Sequence, residues 1–377
     1  MNWKIPLFKI HWDEDDIESI AKVIRRGTYW TLGPEIEELE KNMAKFAGMK
    51  YALSFNSGTS ALHSDLLAHD ITSGEVIVPS FTFISTANSV VLAGARPIFA
   101  EIEDESYGLY PEDVKEKINK KTRAIIPVHY GGGPCKEIKA LREIAKDHNL
   151  ILIEDAAESL GSKIDNMMVG TFGHSAMFSF CQNKIITSGE GGVVVTDSKD
   201  VYQKLKLIRS HGRVENEEDY FSTTKELDYI QIGYNYRMSS ISAALTLSQF
   251  RKIDKITELR REKARYLNNK LSEIKSIKIP AELKNSFHVY QMYTVQMKDN
   301  ENREKLQKHL TKAGIMTKVY FNPVHLKTFY KEKYHYKNGD LPITEEISEK
   351  ILTLPLYPEL TNKEMDYITD EIKNCVS

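Results

Sequence analysis

The first fifty residues carry apolar positions at the spacing of two amphipathic helices. The first is predicted from the acidic residues at 13–16 to Gly27, and the second from Pro34 to Gly48. Acidic residues or proline at the start of a helix and glycine just beyond its end are typical boundary signals. The apolar positions recur every three or four residues, as a helix face requires. They are Ile17, Ile20, Ala21 and Ile24 in the first helix and Ile36, Leu39, Met43 and Phe46 in the second.

From about residue 50, short continuous apolar runs alternate with helical stretches. A strand that is apolar at successive positions is buried on both faces, which is typical of a mainly parallel sheet covered by helices. The pattern therefore predicts an α/β fold built on a large, mainly parallel sheet. The runs are YALSF (51–55), EVIVPS (75–80), RAIIPVHY (123–130), LILIEDAA (150–157), SAMFSF (175–180) and GGVVVTD (191–197).

A second, smaller unit is predicted at the C-terminal end. A long helix with a polar face is predicted over 251–274, and further short apolar and helical segments follow it. A chain of 377 residues is also long enough for two domains. We therefore predict a large domain at 1–250, which includes the N-terminal helices, and a small α/β domain at 251–377.

Composition excludes several classes of partner. Lys and Arg number 51 against 53 Asp and Glu, and no basic run is interleaved with aromatic residues, so a nucleic-acid partner is not expected. No apolar stretch approaches the roughly 20 residues of a membrane span, and no secretion signal is recognisable at the N-terminus. We therefore expect a cytoplasmic protein without a membrane partner. Three widely spaced cysteines without a CxxC pair indicate neither a disulfide framework nor a metal site.

The segment after the first predicted strand is a candidate phosphate site. In open α/β sheets, ligands bind beyond the carboxyl ends of the strands. Gly58, Thr59 and Ser60 lie at such an end, where the strand runs into a helix, and helix N-termini bind phosphate through backbone N–H groups. The segment matches neither a Walker loop nor a GxGxxG fingerprint. Taken alone, such a segment is more often an ordinary capped helix start.

Four other side chains follow predicted strands at the same edge of the sheet. Asp155 ends one strand and Glu158 comes three residues later, Ser179 ends another strand, and Phe83 lies on a strand-to-helix connection. Lys184 follows Ser179 by five residues and precedes the glycine-rich segment GEGG. Each has an ordinary structural explanation, such as a helix cap, core packing or a solvated loop cation.

Together, however, these features match the needs of one cofactor, pyridoxal 5′-phosphate. The candidate phosphate site at Gly58, Thr59 and Ser60, called the phosphate cup below, would hold the ester phosphate. An aromatic ring would stack on the pyridine. A carboxylate would keep the pyridine nitrogen protonated so that the ring can accept electrons. A lysine would form the Schiff base and afterwards move the proton. The set therefore predicts a pyridoxal phosphate site at the carboxyl edge of the sheet.

Nearly the whole chain resembles the DegT/StrS sugar aminotransferases. Within that family it is most similar to the perosamine synthase-like C4 aminotransferases, which share the patterns NK-x-IT-x-GEGG and YNYRM. The resemblance implies the aspartate-aminotransferase fold, which is fold type I of the pyridoxal phosphate enzymes, with a seven-stranded sheet. The segments that carry it are GPEIEELEKNMAKFAG, SFNSGTSAL, VIVPSFTFISTANSVVLAGARPIF, IEDAAESLGS, GTFGHSAMFSF, NKIITSGEGGVVVT and GYNYRMSSISAAL.

The resemblance also implies a role for each matching position. Lys184 matches the Schiff-base lysine, Asp155 the partner of the pyridine nitrogen, and Phe83 the stacking ring. Asn235 matches an asparagine that reaches the phosphate from the neighbouring subunit, which implies a homodimer with shared active sites. Glu158 stands where many members carry glutamine or histidine and some C4 enzymes carry glutamate. The implied cofactor-binding residues are Gly58, Thr59, Ser60, Phe83, Asp155, Glu158, Ser179, Lys184 and Asn235. The implied sugar-contacting residues are His211, Arg213, Tyr320 and His325.

The implied reaction is transfer of an amino group from L-glutamate to the ketone of a nucleotide-linked 4-keto-6-deoxysugar. The cofactor would alternate with its pyridoxamine 5′-phosphate form, and the product would serve surface-polysaccharide or other glycan synthesis. Amination at C3 is an alternative. Sugar dehydratases of the same fold carry histidine in place of the lysine, so Lys184 favours transfer over dehydration. A binding module without chemistry is a third alternative, but it would usually have lost the lysine.

Overall fold

The computed structural model describes residues 3–214 and 223–376, and these ranges contain thirteen α-helices and thirteen strands. The helices are α1 (Glu14–Arg26), α2 (Pro34–Ala47), α3 (Gly58–Ala68), α4 (Ser85–Leu92), α5 (Pro111–Lys117), α6 (Ile138–Asp147), α7 (Lys199–Arg209), α8 (Ser240–Phe250), α9 (Ile253–Leu271), α10 (Asn300–Lys312), α11 (Thr328–Tyr334), α12 (Pro342–Lys350) and α13 (Asn362–Val376). The strands are β1 (Tyr51–Phe55), β2 (Glu75–Pro79), β3 (Arg96–Ala100), β4 (Thr122–Ile125), β5 (Ile151–Asp155), β6 (Lys163–Ile164), β7 (Met167–Met168), β8 (Ser175–Ser179), β9 (Gly192–Thr196), β10 (Ile277–Lys278), β11 (Ser286–Phe287), β12 (Tyr293–Met297) and β13 (Ile351–Leu354).

Seven strands form one sheet in the order β1-β9-β8-β5-β4-β2-β3. Only β9 runs against its neighbours, because it pairs antiparallel with both β1 and β8, whereas the remaining pairs are parallel. The six parallel strands therefore have their carboxyl ends at the same edge. This confirms the predicted α/β fold with a mainly parallel seven-stranded sheet.

The central strands bury side chains on both faces. Every residue of β8 and β9 is buried. Because successive side chains of a strand point to opposite faces, Val194 packs in one hydrophobic cluster with Leu53, while Val193 and Val195 pack in another with Ala52. Fully burying an aliphatic side chain of this size contributes about 1.5–3 kcal/mol. The continuous apolar runs in the sequence are explained by this burial on both sides.

The two N-terminal helices begin and end where their boundary signals predict. Asp13 caps α1 in a capping box with Asp16, and Gly27 ends that helix in the left-handed conformation with φ 72°. Pro34 opens α2, and Gly48 ends it with φ 74°. The predicted apolar stripe of α1 is not its buried face, however, because Ile17 and Ile24 are exposed. The helix is confirmed, but part of its apolar surface has no partner among the described residues.

The C-terminal unit has its own sheet and core. Strands β10, β12 and β13 form a three-stranded antiparallel sheet, which packs with α9, α10 and α13 around a third hydrophobic cluster. Contacts cross the predicted boundary near residue 250 in both directions. Ile5 belongs to this C-terminal cluster and its N–H donates to the Gly314 carbonyl, whereas Ile253 and Ile256 of α9 pack with the large sheet. The division at 250 stays a prediction.

Among the helices of the described ranges, none combines the length and the apolar composition that crossing a bilayer requires. In the same ranges, no three His, Cys, Asp or Glu side chains are grouped in a way that could hold a metal ion.

Candidate active site

A cavity of about 280 Å³ opens at the carboxyl edge of the large sheet. It lies beyond the ends of β5 and β8, which are neighbours in the sheet. Its far wall comes from the segment 318–321 of the C-terminal part of the chain. Eight of the thirteen residues predicted for cofactor or sugar contact line it, namely Gly58, Thr59, Phe83, Asp155, Glu158, Ser179, Lys184 and Tyr320.

Lys184 places its amine inside this cavity. Its side chain is only 13% exposed, and Nζ lies 3.3 Å from Glu158 Oε1. The other carboxylate oxygen of Glu158 accepts a hydrogen bond of 2.9 Å from the backbone N–H of Gly131. A buried cation needs such a partner, because desolvation of an unpaired charge costs several kcal/mol. Glu158 thus fixes the position of the amine and is itself fixed by the backbone.

Asp155 ends β5 and points its carboxylate into the same cavity. Thr86 Oγ1 donates to Oδ2 over 2.7 Å, and the N–H of Ala157 donates to Oδ1 over 3.2 Å. Because the Thr86 hydroxyl is used in this way, the Thr82 hydroxyl, 2.8 Å away, donates to Thr86. The result is a buried chain of hydroxyl donors that ends on the carboxylate.

Burial raises the pKa of the Asp155 carboxyl, while the hydrogen bonds from Thr86 and Ala157 and the charge of Lys184 act against that rise. A cationic N–H group placed against this carboxylate would stabilise its ionised form. The site is therefore suited to a ligand that presents a protonated nitrogen at this point.

The candidate phosphate cup lies at the first turn of α3. Ser57 caps the helix and accepts a hydrogen bond from the N–H of Ser60 over 3.1 Å. A Cβ added to Gly58 would come within 3.1 Å of the Ser179 hydroxyl oxygen, so glycine at this position allows the helix start to lie close to β8 without crowding. The N-terminus of an 11-residue helix with the hydroxyls of Thr59 and Ser179 beside it suits a phosphate group.

Ser60 has a different role from its neighbours in this turn. Its side chain is buried and does not line the cavity, and its hydroxyl donates to Asn56 Oδ1 over 2.6 Å. Ser60 therefore shapes the cup through the helix cap. Its side chain is not placed to bind a phosphate directly.

The residues present fit pyridoxal 5′-phosphate. The phosphate cup at α3, the Asp155 carboxylate and the Lys184 amine share one cavity, whose volume lies just below the about 300–1,000 Å³ that is usual for small-molecule sites. Phe83, a residue that is 58% exposed, lies at the rim of the cavity with its ring centroid 6.1 Å from that of Phe321. The arrangement can hold an anionic phosphate, a protonated ring nitrogen and an aldehyde carbon at separate points.

Three predicted contacts on the 210–235 segment are not brought into this cavity. The Asn235 backbone pairs with Ser210, and its carbonyl accepts a hydrogen bond from the side chain of Asn56 over 3.4 Å. His211 is exposed with φ 62°, and Arg213 is buried. Residues 215–222, which follow Arg213, lie outside the described ranges. Within one chain, therefore, Asn235, His211 and Arg213 do not complete the site.

His325 also lies outside the cavity, and its environment is structural. The residue is completely buried, with Nδ1 2.7 Å from Ser80 Oγ and Nε2 3.0 Å from Glu345 Oε1. Both ring nitrogens are engaged, so this histidine is not positioned to contact a sugar. It ties the segment after residue 320 to the end of β2.

Sequence reasoning missed several residues of the cavity. Thr82 lines the cavity, and Thr86 lies behind it as a donor to Asp155; two threonines four residues apart after β2 are a signal that could have found them. Lys318 and Phe321 line the far wall, but they are distant from Lys184 along the chain. No local pattern brings them to the site, because only the packing of the two parts of the chain does so.

A larger open groove of about 920 Å³ lies elsewhere, between α2, α9 and the β6–β7 hairpin. Its lining includes charged residues of both signs, such as Lys163, Asp254 and Glu258, and apolar residues such as Phe287. None of the predicted site residues lines it. The smaller cavity is therefore the candidate active site.

The chain belongs to the DegT/DnrJ/EryC1/StrS aminotransferase family, whose model matches residues 11–373. It is 37% identical over 346 residues to GDP-perosamine synthase of Escherichia coli O157:H7, which covers 92% of this chain and 91% of the relative. Among solved structures it is similar to PseC of Helicobacter pylori, an aminotransferase involved in the biosynthesis of pseudoaminic acid, with a TM-score of 0.91, 27% identity and 99% of both chains covered. DesV of S. venezuelae gives a TM-score of 0.90, 30% identity and 98% of both chains covered.

The protein is accordingly a sugar aminotransferase of fold type I that depends on pyridoxal 5′-phosphate. The predicted family, fold class, enzyme class and cofactor are confirmed. The resemblance to perosamine synthases is also found in the comparison of whole sequences. The roles of the individual residues stay predictions.

The hydroxyl chain on Asp155 generates a prediction for Thr86→Val. Loss of the hydrogen bond leaves a buried carboxylate oxygen without its donor, and a hydrogen bond to a charged group is worth about 1.5–3 kcal/mol. We expect the affinity for pyridoxal 5′-phosphate to fall by about tenfold or more, since about 1.4 kcal/mol is a factor of ten. Fluorescence titration of the apoprotein with the cofactor measures this.

Two control variants make the result specific. Thr86→Ser keeps the hydroxyl and is expected to bind nearly as wild type. Thr246→Val removes a buried hydroxyl from α8, away from the cavity, where it donates to the Ser242 carbonyl. Unchanged cofactor affinity in Thr86→Val, or equal losses in both valine variants, would contradict a role of Thr86 in holding Asp155.

Proposed function

We propose that this enzyme transfers the amino group of L-glutamate to the C4 ketone of a nucleotide-linked 4-keto-6-deoxysugar. The observation that carries the proposal is the shared cavity of the Lys184 amine, the Asp155 carboxylate and the N-terminus of α3. The name of the E. coli relative, GDP-perosamine synthase, supports a nucleotide-linked amino sugar as product. We further place the reaction in the cytoplasm and its product in surface-polysaccharide or other glycan synthesis.

The residues of the cavity divide the chemical work between two ends. Pyridoxal 5′-phosphate, when bound, supplies an aldehyde that condenses with amines and a ring that accepts the electrons of the bond broken next to them. At one end, Asp155 accepts the hydrogen bond of the protonated ring nitrogen and keeps that proton in place. At the other end, Lys184 Nζ would hold the cofactor through its aldehyde and would carry a proton between two carbon atoms.

Glu158 orients the amine during these steps. Its Oε1 is the acceptor nearest to Lys184 Nζ, and its Oε2 is fixed by the Gly131 N–H. A lysine side chain has several rotatable bonds, and fixing its terminal atom reduces the entropy lost on reaching the reactive geometry. This position next to the reactive amine is consistent with the cofactor-binding role predicted for Glu158.

The aromatic residues of the far wall restrict access of water. Tyr320 and Phe321 come from the C-terminal part of the chain and face the cavity opposite Lys184, while Phe83 extends the wall at the rim. Burial raises the pKa of the Tyr320 hydroxyl above its usual value. Tyr320 therefore stays neutral at physiological pH and can donate a hydrogen bond to a substrate oxygen.

We propose a homodimer in which Asn235 reaches the cavity of the second subunit. Large apolar side chains are exposed just before α1, on it, on the segment after it and on the segment that carries Asn235, and patches of this kind mark interaction surfaces. The exposed residues include Trp12, Trp30, Tyr229, Ile230 and Ile232. A second copy of the chain would cover them. It would also bring Asn235 to a site that this residue does not reach within its own chain.

The proposed function predicts the behaviour of Lys184→Ala. This variant is expected to purify folded, with a thermal melt close to that of wild type, and to lose amino transfer because no amine remains to form the covalent bond or carry the proton. Arginine cannot restore the activity, since its guanidinium stays protonated and cannot form an imine. Lys252→Ala is a matched control, because Lys252 is a partly buried lysine paired with Asp13 and Asp16 outside the cavity.

The measurement is a mass-spectrometric screen of nucleotide keto sugars with L-glutamate as donor. Wild type and Lys252→Ala are expected to convert a 4-keto-6-deoxysugar to the amino sugar with release of 2-oxoglutarate. Turnover by Lys184→Ala at a rate near that of wild type would contradict the assignment. Conversion of a 3-keto sugar alone would indicate amination at C3 instead of C4. A deoxygenated keto product would indicate dehydration instead of amino transfer.

The shared site predicts complementation between two defective subunits. Asn235→Ala is expected to bind the cofactor weakly because its phosphate loses a donor, and Lys184→Ala is inactive. If Asn235 acts across the interface, a mixed dimer contains one intact site, with Lys184 from one subunit and Asn235 from the other. Co-expressed variants, purified through two different tags, should therefore regain up to half of the wild-type activity per dimer. Absence of any recovery in a dimer that is shown to be mixed would place Asn235 outside the partner's site.

A further inference from the structure

Two cations line the candidate active site, and only one of them remains for the substrates. Among the described residues, the lysines that line the cavity are Lys184 and Lys318, and no arginine or histidine lines it. Lys184 is committed to the cofactor in the proposed function. Lys318 is therefore the cation left in the cavity when the cofactor is in place.

The other charges of the cavity make this lysine important. Asp155, Glu158 and Glu190 all line the cavity and carry carboxylates, and the bound cofactor adds a phosphate. Both proposed substrates are also anions, because L-glutamate has two carboxylates and a nucleotide sugar has a diphosphate. Like charges at close distance repel each other, so a substrate anion needs a cation within the site.

The environment of Lys318 leaves its amine available. In the part of the chain that the structure describes, no carboxylate oxygen forms an ion pair with Nζ, which instead lies 4.7 Å from the centre of the Tyr320 ring. By comparison, Lys184 and Lys252 are paired with carboxylates. A lysine whose amine has no carboxylate partner can pair with the anion of a ligand.

The backbone of Lys318 is fixed even though its side chain is exposed. Its N–H donates to the Thr353 carbonyl over 3.2 Å, and its carbonyl accepts from the Thr353 N–H over 2.8 Å. The pairing attaches this wall of the cavity to β13 of the C-terminal sheet. The amine thus extends from a rigid support toward the space in front of Tyr320.

We propose that Lys318 is the anion-binding residue of the substrate site, where it receives a carboxylate of the amino-acid donor or the diphosphate of the nucleotide sugar. The proposal deepens the proposed function and rests on it. An ammonium group binds either anion as a point charge, and Tyr320 beside it can donate a hydrogen bond to the same ligand. Lys318 is in this account a binding residue that affects substrate affinity more than the chemical step.

The experiment compares Lys318→Ala and Lys318→Arg with wild type, all loaded with cofactor. One arm measures the apparent dissociation constant of L-glutamate from the rate of the donor half-reaction, followed by the absorbance change of the cofactor. The other arm measures binding of GDP and UDP by calorimetry, which is independent of turnover. Lys333→Ala is the matched control, because Lys333 is also an exposed lysine 5.2 Å from an aromatic ring centre, that of Phe329, but lies outside the cavity.

In Lys318→Ala we expect at least one dissociation constant to rise about tenfold to a hundredfold, as for loss of a charged hydrogen bond. Lys318→Arg keeps the charge and should retain most of the affinity, and Lys333→Ala should bind as wild type. A rise for L-glutamate alone identifies the donor carboxylate as the ligand, a rise for GDP or UDP alone identifies the diphosphate, and a rise for both shows that the two substrates share the lysine.

Unchanged constants for both ligands in a folded Lys318→Ala protein would overturn the inference. Equal losses in Lys318→Ala and Lys333→Ala would also overturn it, because the effect would then follow from surface charge in general. Failure of the proposed function gives a different result, since wild type itself would then show no donor half-reaction with L-glutamate. Thermal melts of all three variants confirm that the comparison is made on folded protein.

Discussion

The active site depends on one ion pair, which holds the amine of Lys184 inside a largely buried cavity. The ion pair between Lys184 Nζ and Glu158, 3.3 Å long, offsets the desolvation of both groups. The Gly131 N–H fixes the carboxylate in turn, so the amine has one preferred position. Asp155 is stabilised separately by the hydroxyls of Thr86 and Thr82. The two carboxylates therefore keep distinct roles, one toward the amine and one toward a ring nitrogen.

The topology of the sheet brings these groups together. Strands β5 and β8 are parallel neighbours, so Asp155 and Ser179 lie at the same edge of the sheet although they are 24 positions apart in the sequence. Strand β9 returns between β8 and β1, and the chain must turn back before it, in the segment that carries Lys184. The N-terminus of α3 follows β1 at this edge as well. The cavity is thus a direct consequence of parallel strands with one antiparallel insertion.

The sequence was sufficient to predict the parts of this arrangement that are local or follow from strand direction. Continuous apolar runs identified six strands of the large sheet. Residues that follow the carboxyl ends of these strands, such as Asp155 and Ser179, line the cavity. Strand β3 was not identified, because Arg96 and Pro97 interrupt its apolar pattern. Its position at the edge of the sheet explains why both residues are tolerated there.

The remaining differences come from packing that has no local signal. His325 was predicted to contact the sugar, yet it is completely buried and hydrogen-bonded to Ser80 and Glu345. Lys318 reaches the cavity only because its backbone pairs with β13. The exposure of Ile17 and Ile24 on α1 likewise could not be read from the apolar spacing of the helix. Sequence patterns report which side chains are apolar or charged, but they do not report what a distant segment places next to them.

The central claim is that the amine of Lys184 is the one that bonds covalently to pyridoxal 5′-phosphate. Reduction of the cofactor-loaded wild-type protein with borohydride makes that bond permanent, and tryptic digestion followed by mass spectrometry locates it. The account predicts a single modified peptide spanning residues 164–199, because the modified Lys184 is no longer cleaved. A label on a different lysine, or no label on a protein that has bound the cofactor, would contradict it.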